Sequence, residues 1–169
     1  MRRNLGKAAL EAYGAHLQPY FRIGGNIIYT PPLLAKVQTD GSRTSSRSRV
    51  AMILLTRDHM NIHKKVVDIP HTESATEAEW ASIAGGLEFA IQKGETCVGI
   101  ENDNLGVVGS LITDKRDFRN SYAYYYRDKI LRMARLTLWT GIRWIPREIN
   151  RADDLFHDSP ISSAPDTFS

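Results

Sequence analysis

The order of apolar segments along this chain of 169 residues predicts a mixed α/β domain. Its sheet has five strands, the first three antiparallel and the fourth and fifth parallel to the first, with helices on both faces. Three observations predict it. Strand-like runs at 33–39, 50–56 and 62–69 follow one another through short connections. One strongly amphipathic helix, Thr76 to Lys93, comes next. Two short apolar strands, Thr96 to Ile100 and Gly141 to Ile145, are then separated by helical stretches.

Leu33 to Thr39 is apolar and runs into the turn pair Asp40-Gly41. Val50 to Thr56 is continuously apolar, as a strand covered on both faces would be. Arg57 to Asn61 reads as a hairpin connection into Ile62–Ile69, where Lys64 and Lys65 mark an edge strand. Thr76 followed by Glu79 has the form of a capping box, Trp80, Ala84, Leu87 and Ile91 form one helical stripe, and Gly94 is a natural stop. Short helices at Leu105–Leu111 and Asn150–Phe156 flank a long one from Ser121 to Trp139. Residues 1–32 read as an N-terminal extension, with a helical pattern at Leu5–Leu17 and one extra strand at Ile27-Ile28-Tyr29. Residues 33–157 form the main domain and 158–169 a tail rich in Ser and Pro.

Composition removes several classes. Hydrophobic residues are 42% and charged residues 24%, ordinary for a globular chain. The single Cys97 excludes an internal disulfide and an all-Cys zinc site. No apolar run approaches the ~18 residues of a membrane span. The basic start has no apolar core of a secretory signal, and Glu11 weakens a transit-peptide reading, so the cytoplasm is the expected compartment. Net charge is only +3, but Lys115 to Arg135 holds seven cations against two acids, with Tyr122, Tyr124, Tyr125 and Tyr126 interleaved. That mixture suits a phosphate backbone and stacked bases, and equally a solvated helix face with tyrosines turned inward.

The acids carry the chemistry. Asp40 and Asp103 stand at the ends of the first and fourth strands. If those strands are adjacent and parallel, their carboxylates meet where open α/β sheets bind ligands. Glu79, in the first turn of the long helix, and Asp153, in the last short helix, can lean over the same edge. Each acid also has a plain reading, as a turn, a capping acid or a helix N-terminal pair with Asp154. Together they form a set of hard oxygen donors that selects Mg²⁺ or Mn²⁺ over zinc. Two such ions about 4 Å apart suit phosphodiester cleavage.

Four ordered motifs, Thr39-Asp40-Gly41-Ser42, Glu77-Ala78-Glu79-Trp80-Ala81, Glu101-Asn102-Asp103 and Arg147-Glu148-Ile149-Asn150-Arg151-Ala152-Asp153-Asp154-Leu155, resemble the type 1 ribonuclease H family, in particular its compact, reverse-transcriptase-like branch. The resemblance covers about residues 35 to 157 and implies a ribonuclease H-like fold. It places the catalytic and metal-binding acids on Asp40, Glu79, Asp103 and Asp153, with two Mg²⁺ (or Mn²⁺) ions. It implies a monomer that cleaves the RNA strand of an RNA–DNA hybrid, leaving 5′-phosphate and 3′-hydroxyl ends. Candidate substrate contacts are Gly41, Ser42, Ser74, Thr76, Asn104 and Arg147.

Departures from the family pattern bear on substrate handling. Ala75 and Thr76 replace a polar pair before the helical Glu, Asn104 replaces a Ser, and no His-bearing loop precedes the last acid. Arg147 substitutes for that His or pairs with Glu148, and His157 shares the helix face of Asp153. Two other functions fit the same residues: a resolvase-like nuclease acting on DNA, and a non-catalytic module that binds nucleic acid.

Overall fold

The structure, a computed structural model, describes residues 19–24, 29–113 and 121–158. The expected N-terminal helix at Leu5–Leu17, Ile27 and Ile28 of the expected extra strand, the cations Lys115, Arg116 and Arg119, and nearly all of the C-terminal tail lie outside them.

Six strands form one sheet in the order β1-β6-β5-β2-β3-β4. They are β1 (Phe21–Arg22), β2 (Ala35–Arg43), β3 (Ser48–Leu55), β4 (Ile62–Ile69), β5 (Cys97–Asn102) and β6 (Trp139–Trp144). The helices are α1 (Ala75–Gln92), α2 (Leu105–Ile112), α3 (Ser121–Ala134) and α4 (Ala152–Asp158), with a 3₁₀ turn at Arg147–Ile149. β2, β3 and β4 are antiparallel neighbours, and β5 and β6 run parallel to β2, as the sequence predicts. The sixth strand corrects the strand count. It is Phe21–Arg22, antiparallel to β6, whereas Tyr29 of the expected extra strand sits exposed in a bend.

β2 carries the first consequence for the site. Asp40-Gly41 reads as a turn, yet the strand continues through Ser42 to Arg43, and the hairpin closes only where the Thr44 N–H meets the Arg47 carbonyl. Asp40 therefore stands inside a paired strand, opposite Ala51. The next hairpin falls where expected. Asp58 accepts from the Thr56 hydroxyl and the Met60 N–H, and His59 takes the left-handed conformation with φ of 61°.

The N-cap of α1 lies two residues earlier than its pattern suggests. Ser74 is the N-cap and accepts from the Glu77 N–H, while the Glu77 carboxylate accepts from the Glu73 N–H. The capping pair is Ser74 with Glu77, not Thr76 with Glu79, so the Glu79 carboxylate is left for other partners. Trp80, Ile83, Ala84 and Leu87 are buried against Val37, Met52 and Leu54 of the sheet. Each large apolar side chain buried this way contributes about 1.5–3 kcal/mol. Gly94, at φ of 85°, ends the helix as expected, with the Glu95 N–H returning to the Ala90 carbonyl.

α3 is shorter than its expected span to Trp139. Thr137 donates its hydroxyl to the Ala134 carbonyl, and the Leu138 N–H reaches the Thr96 carbonyl, which turns the chain into β6. α4 starts at Ala152, after the 3₁₀ turn, with the Arg49 guanidinium 5.0 Å from its Phe156 ring. Among the described residues no helix is long and apolar enough to cross a membrane.

Candidate active site

The site lies where β2 and β5 part. Thr39 opposite Asn102 is the last pair of their parallel ladder. The Thr39 carbonyl is there satisfied by two side-chain amides, Asn102 Nδ2 at 3.1 Å and Asn150 Nδ2 at 2.9 Å. A buried carbonyl requires such partners once its strand neighbour ends. Asn150 also donates to Asp103 Oδ2 at 3.3 Å, tying the last carboxylate on the β5 side to the segment before α4. Neither Asn102 nor Asn150 was among the expected site residues. The signal was available, since both fall inside the two acidic motifs, but an amide's partner is visible only in three dimensions.

Asp40, Glu79 and Asp103 each present a carboxylate oxygen within 4.8 Å of the others. Gly41 makes this approach possible. A Cβ on Gly41 would stand 2.3 Å from the Ala78 carbonyl oxygen, and one on Gly86 would stand 2.3 Å from a Thr39 methyl, so two glycines let α1 lie directly against β2. The Gly41 N–H then donates to Glu79 Oε1 at 2.5 Å. Asp153, in the first turn of α4, comes within hydrogen-bonding reach of Asp40. The structure thus brings three of the four expected acids into one cluster and sets the fourth against Asp40.

Burial of so many acids has an electrostatic cost. Asp40 is raised to about 10, first by burial and then by the charges of Glu79 and Asp103. Glu79 is raised to about 7 by burial, opposed by the Gly41 N–H and by the charge of Arg147. The donors are all hard oxygens, with no Cys or His in the cluster, which fits a divalent cation such as Mg²⁺ or Mn²⁺. Cations at this point would offset both the burial and the repulsion that raise these carboxyls.

The other expected site residues take varied places. Ser42 follows at the end of β2, opposite Arg49. Ser74 has its oxygen committed to capping α1, and it lies 3.5 Å from the Tyr122 hydroxyl. Thr76 is exposed on the first turn of α1. Asn104 is the N-cap of α2, accepting from the Val107 N–H, while its own N–H donates to Asn102. Arg147 is exposed and acts on the cluster through its charge on Glu79. Asp154 lies 3.9 Å from the Arg151 guanidinium, and His157 Nε2 lies 3.9 Å from Asp153. Of the aromatic stretch, Tyr122 and Tyr126 pack against the core while Tyr124 and Tyr125 are exposed.

A family model described as reverse transcriptase-like matches residues 38–157, which contain all four acids. The chain belongs to the reverse transcriptase-like family. This agrees with its resemblance to the type 1 ribonuclease H family. Solved structures of similar fold include an RNase H1 from the halophilic archaeon Halobacterium salinarum, 21% identical, with a TM-score of 0.65, covering 72% of this chain and 92% of that one. A second is the N-terminal RNase H domain of a Mycobacterium tuberculosis protein, solved as a fusion with maltose-binding protein, at 18% identity and a TM-score of 0.63, covering 78% and 99%. A third is LC11-RNase H1 in complex with an RNA/DNA hybrid, at 20% identity and a TM-score of 0.61, covering 72% and 92%. No sequence among the curated proteins matches the chain. These likenesses establish a ribonuclease H-like fold for this member of the reverse transcriptase-like family.

Proposed function

We propose that the protein is a metal-dependent endoribonuclease that hydrolyses the RNA strand of RNA–DNA hybrids, leaving 5′-phosphate and 3′-hydroxyl ends. The observation that carries this reading is the convergence of buried Asp40 and Glu79 with half-buried Asp103 within 4.8 Å, with Asp153 set against Asp40. The hybrid as substrate is supported by the fold shared with LC11-RNase H1, whose structure holds an RNA/DNA hybrid. The domain that does this work is proposed to span residues 33–157.

In this reading Asp40, Glu79, Asp103 and Asp153 would hold two Mg²⁺ or Mn²⁺ ions, which would supply an activated water and neutralise charge developing on the phosphoryl and leaving oxygens. The chain's own residues do the positioning. The Gly41 N–H fixes one Glu79 oxygen. Asn150 donates to both Asp103 and the Thr39 carbonyl, tying the segment before α4 to the ends of β2 and β5. Arg147 adds positive charge at the rim, where a scissile phosphate would approach. Gly41, Ser42, Ser74, Thr76 and Asn104 are proposed as further substrate contacts, Ser42 and Thr76 through their hydroxyls.

The deciding experiment uses one labelled strand in RNA–DNA, RNA–RNA and DNA–DNA duplexes, with Mg²⁺, with Mn²⁺ and with EDTA, beside Asp103→Asn. The expected result is metal-dependent cutting of RNA in the hybrid alone, lost by at least about 10²-fold in the variant. Cutting of DNA would replace this reading with a resolvase-like one. Salt-sensitive binding without cutting would replace it with a recognition module.

A further inference from the structure

We propose that Tyr20, Glu101, Arg143 and Gln38 form a positioning network that makes a segment outside the family-matched residues part of the working site, by fixing the start of the helix that carries Asp153. The inference rests on the nuclease reading above.

Gln38, Glu101 and Arg143 lie side by side across β2, β5 and β6, each in register with the next. Strand periodicity puts Gln38 on the same face as Asp40 and Glu101 on the same face as Asp103, one pleat away from each. The row therefore lies directly beneath the two carboxylates. Glu101 is 4% exposed and would be costly to bury unpaired, but its carboxylate is fully engaged. Oε2 accepts from the Tyr20 hydroxyl at 3.0 Å and from Arg143 Nε at 2.9 Å, and Oε1 accepts from Gln38 Nε2 at 3.0 Å.

That last bond decides which way the Gln38 amide faces. With its NH₂ committed to a carboxylate, which can only accept, Gln38 must turn its oxygen outward. Gln38 Oε1 accepts from the Arg151 N–H at 2.8 Å. Arg151 is the residue before α4, and Asp153 follows in the first turn. Orientation thus passes from a buried carboxylate, through one amide, to the backbone that aims a metal-binding acid.

Tyr20 closes the network from outside. Its ring lies where a side chain on Gly99 would be, 2.6 Å from that position, with the Arg143 guanidinium 4.2 Å from its centroid and Trp139 edge-on at 6.1 Å. The seat is built for an aromatic ring, and β1 holds the segment there by pairing with β6. The Ile23 N–H adds a bond to the Thr140 carbonyl at 2.8 Å. The family model begins at residue 38, after Tyr20.

The test compares the full chain with Tyr20→Phe and Gln38→Leu, each of which removes hydrogen bonds with little change in volume. Amide hydrogen exchange at Arg151, read by NMR, should quicken about tenfold in Gln38→Leu, and to a lesser degree in Tyr20→Phe, without a matching loss of global stability. Mn²⁺ titrated calorimetrically into the folded protein, and the half-saturating Mg²⁺ for hybrid cleavage, should each weaken about tenfold, as with other outer partners of metal ligands, while KM for the hybrid stays within about twofold. Lower thermal stability with unchanged metal affinity in both variants would overturn the network, because a merely structural contact gives that pattern. Unchanged Arg151 exchange in Gln38→Leu would overturn it too. Wild-type protein that neither binds metal nor cuts hybrid would overturn the nuclease reading instead. The two failures are distinguished by whether the defect lies in the wild type or only in the comparison with its variants.

Discussion

Asp40 is the residue at which stability and function pull apart. Its carboxyl is raised to about 10 in the folded protein, against 3.8 when solvated. Between those values the folded chain binds more protons than the unfolded one, so the metal-free protein loses stability as pH climbs from about 4 towards 10. Glu79, raised to about 7, acts in the same direction over the lower part of that window. Asp40→Asn should therefore stabilise the metal-free protein at neutral pH, by on the order of 2 kcal/mol, and flatten the pH dependence. Urea melts in EDTA between pH 5 and 9 read both effects, and a destabilised variant would contradict the electrostatic account. On the nuclease reading the same variant should be inactive, since a neutral amide would replace a charge proposed to hold metal.

At the scale of elements, the site depends on how closely α1 approaches β2. Gly41 lets strand and helix backbones meet without an intervening side chain, and Gly86 leaves room for the Thr39 methyl. Gly41→Ala would push a methyl to 2.3 Å from the Ala78 carbonyl, which the helix can relieve only by moving Glu79 away. The expected cost is about 1–3 kcal/mol of stability with a disproportionate loss of metal affinity. Thermal melts and metal titration of the same sample separate the two, and a variant that binds metal like wild type would show that the approach has slack. The motif Asp-Gly-Ser was legible in the sequence, but it read as a turn. A glycine after an acid resembles a hairpin bend, and only the helix lying across it explains why the strand runs on. The capping pair was misplaced for a related reason. Ser74 and Thr76 both precede a Glu at the right spacing, and tertiary contacts of Glu79 decide between them.

For the whole molecule, a nucleic-acid substrate needs a positive surface beyond the carboxylates. α3 carries Arg127, Lys129 and Arg132, with Tyr124 and Tyr125 exposed beside them, and its Tyr122 reaches the N-cap of α1 next to the site. Arg132 pairs with Asp128 at the helix surface, an ion pair too exposed to add much stability. Replacing Arg127 and Arg132 together by Ala should weaken hybrid binding and lower its log–log salt slope by about 1–2. Fluorescence anisotropy between 50 and 200 mM salt measures this, and an unchanged slope would make α3 a solvated face only.

The element order, the antiparallel and parallel pairings and the four acids follow from local pattern and spacing, because apolar periodicity and short motifs are properties of contiguous residues. Partners drawn from distant residues do not leave such a trace. In the sequence Glu101 stands only as the first residue of the motif Glu101-Asn102-Asp103, with no partner named for it, yet it joins Gln38, 63 positions before it, to Tyr20, 81 before it. Asn150 reaches Thr39 across 111 positions. These contacts exist only once the sheet is assembled in the order β1-β6-β5-β2. Folding converts a chain with four acids into a site, since it is the sheet's register that fixes where each carboxylate and each supporting amide comes to rest.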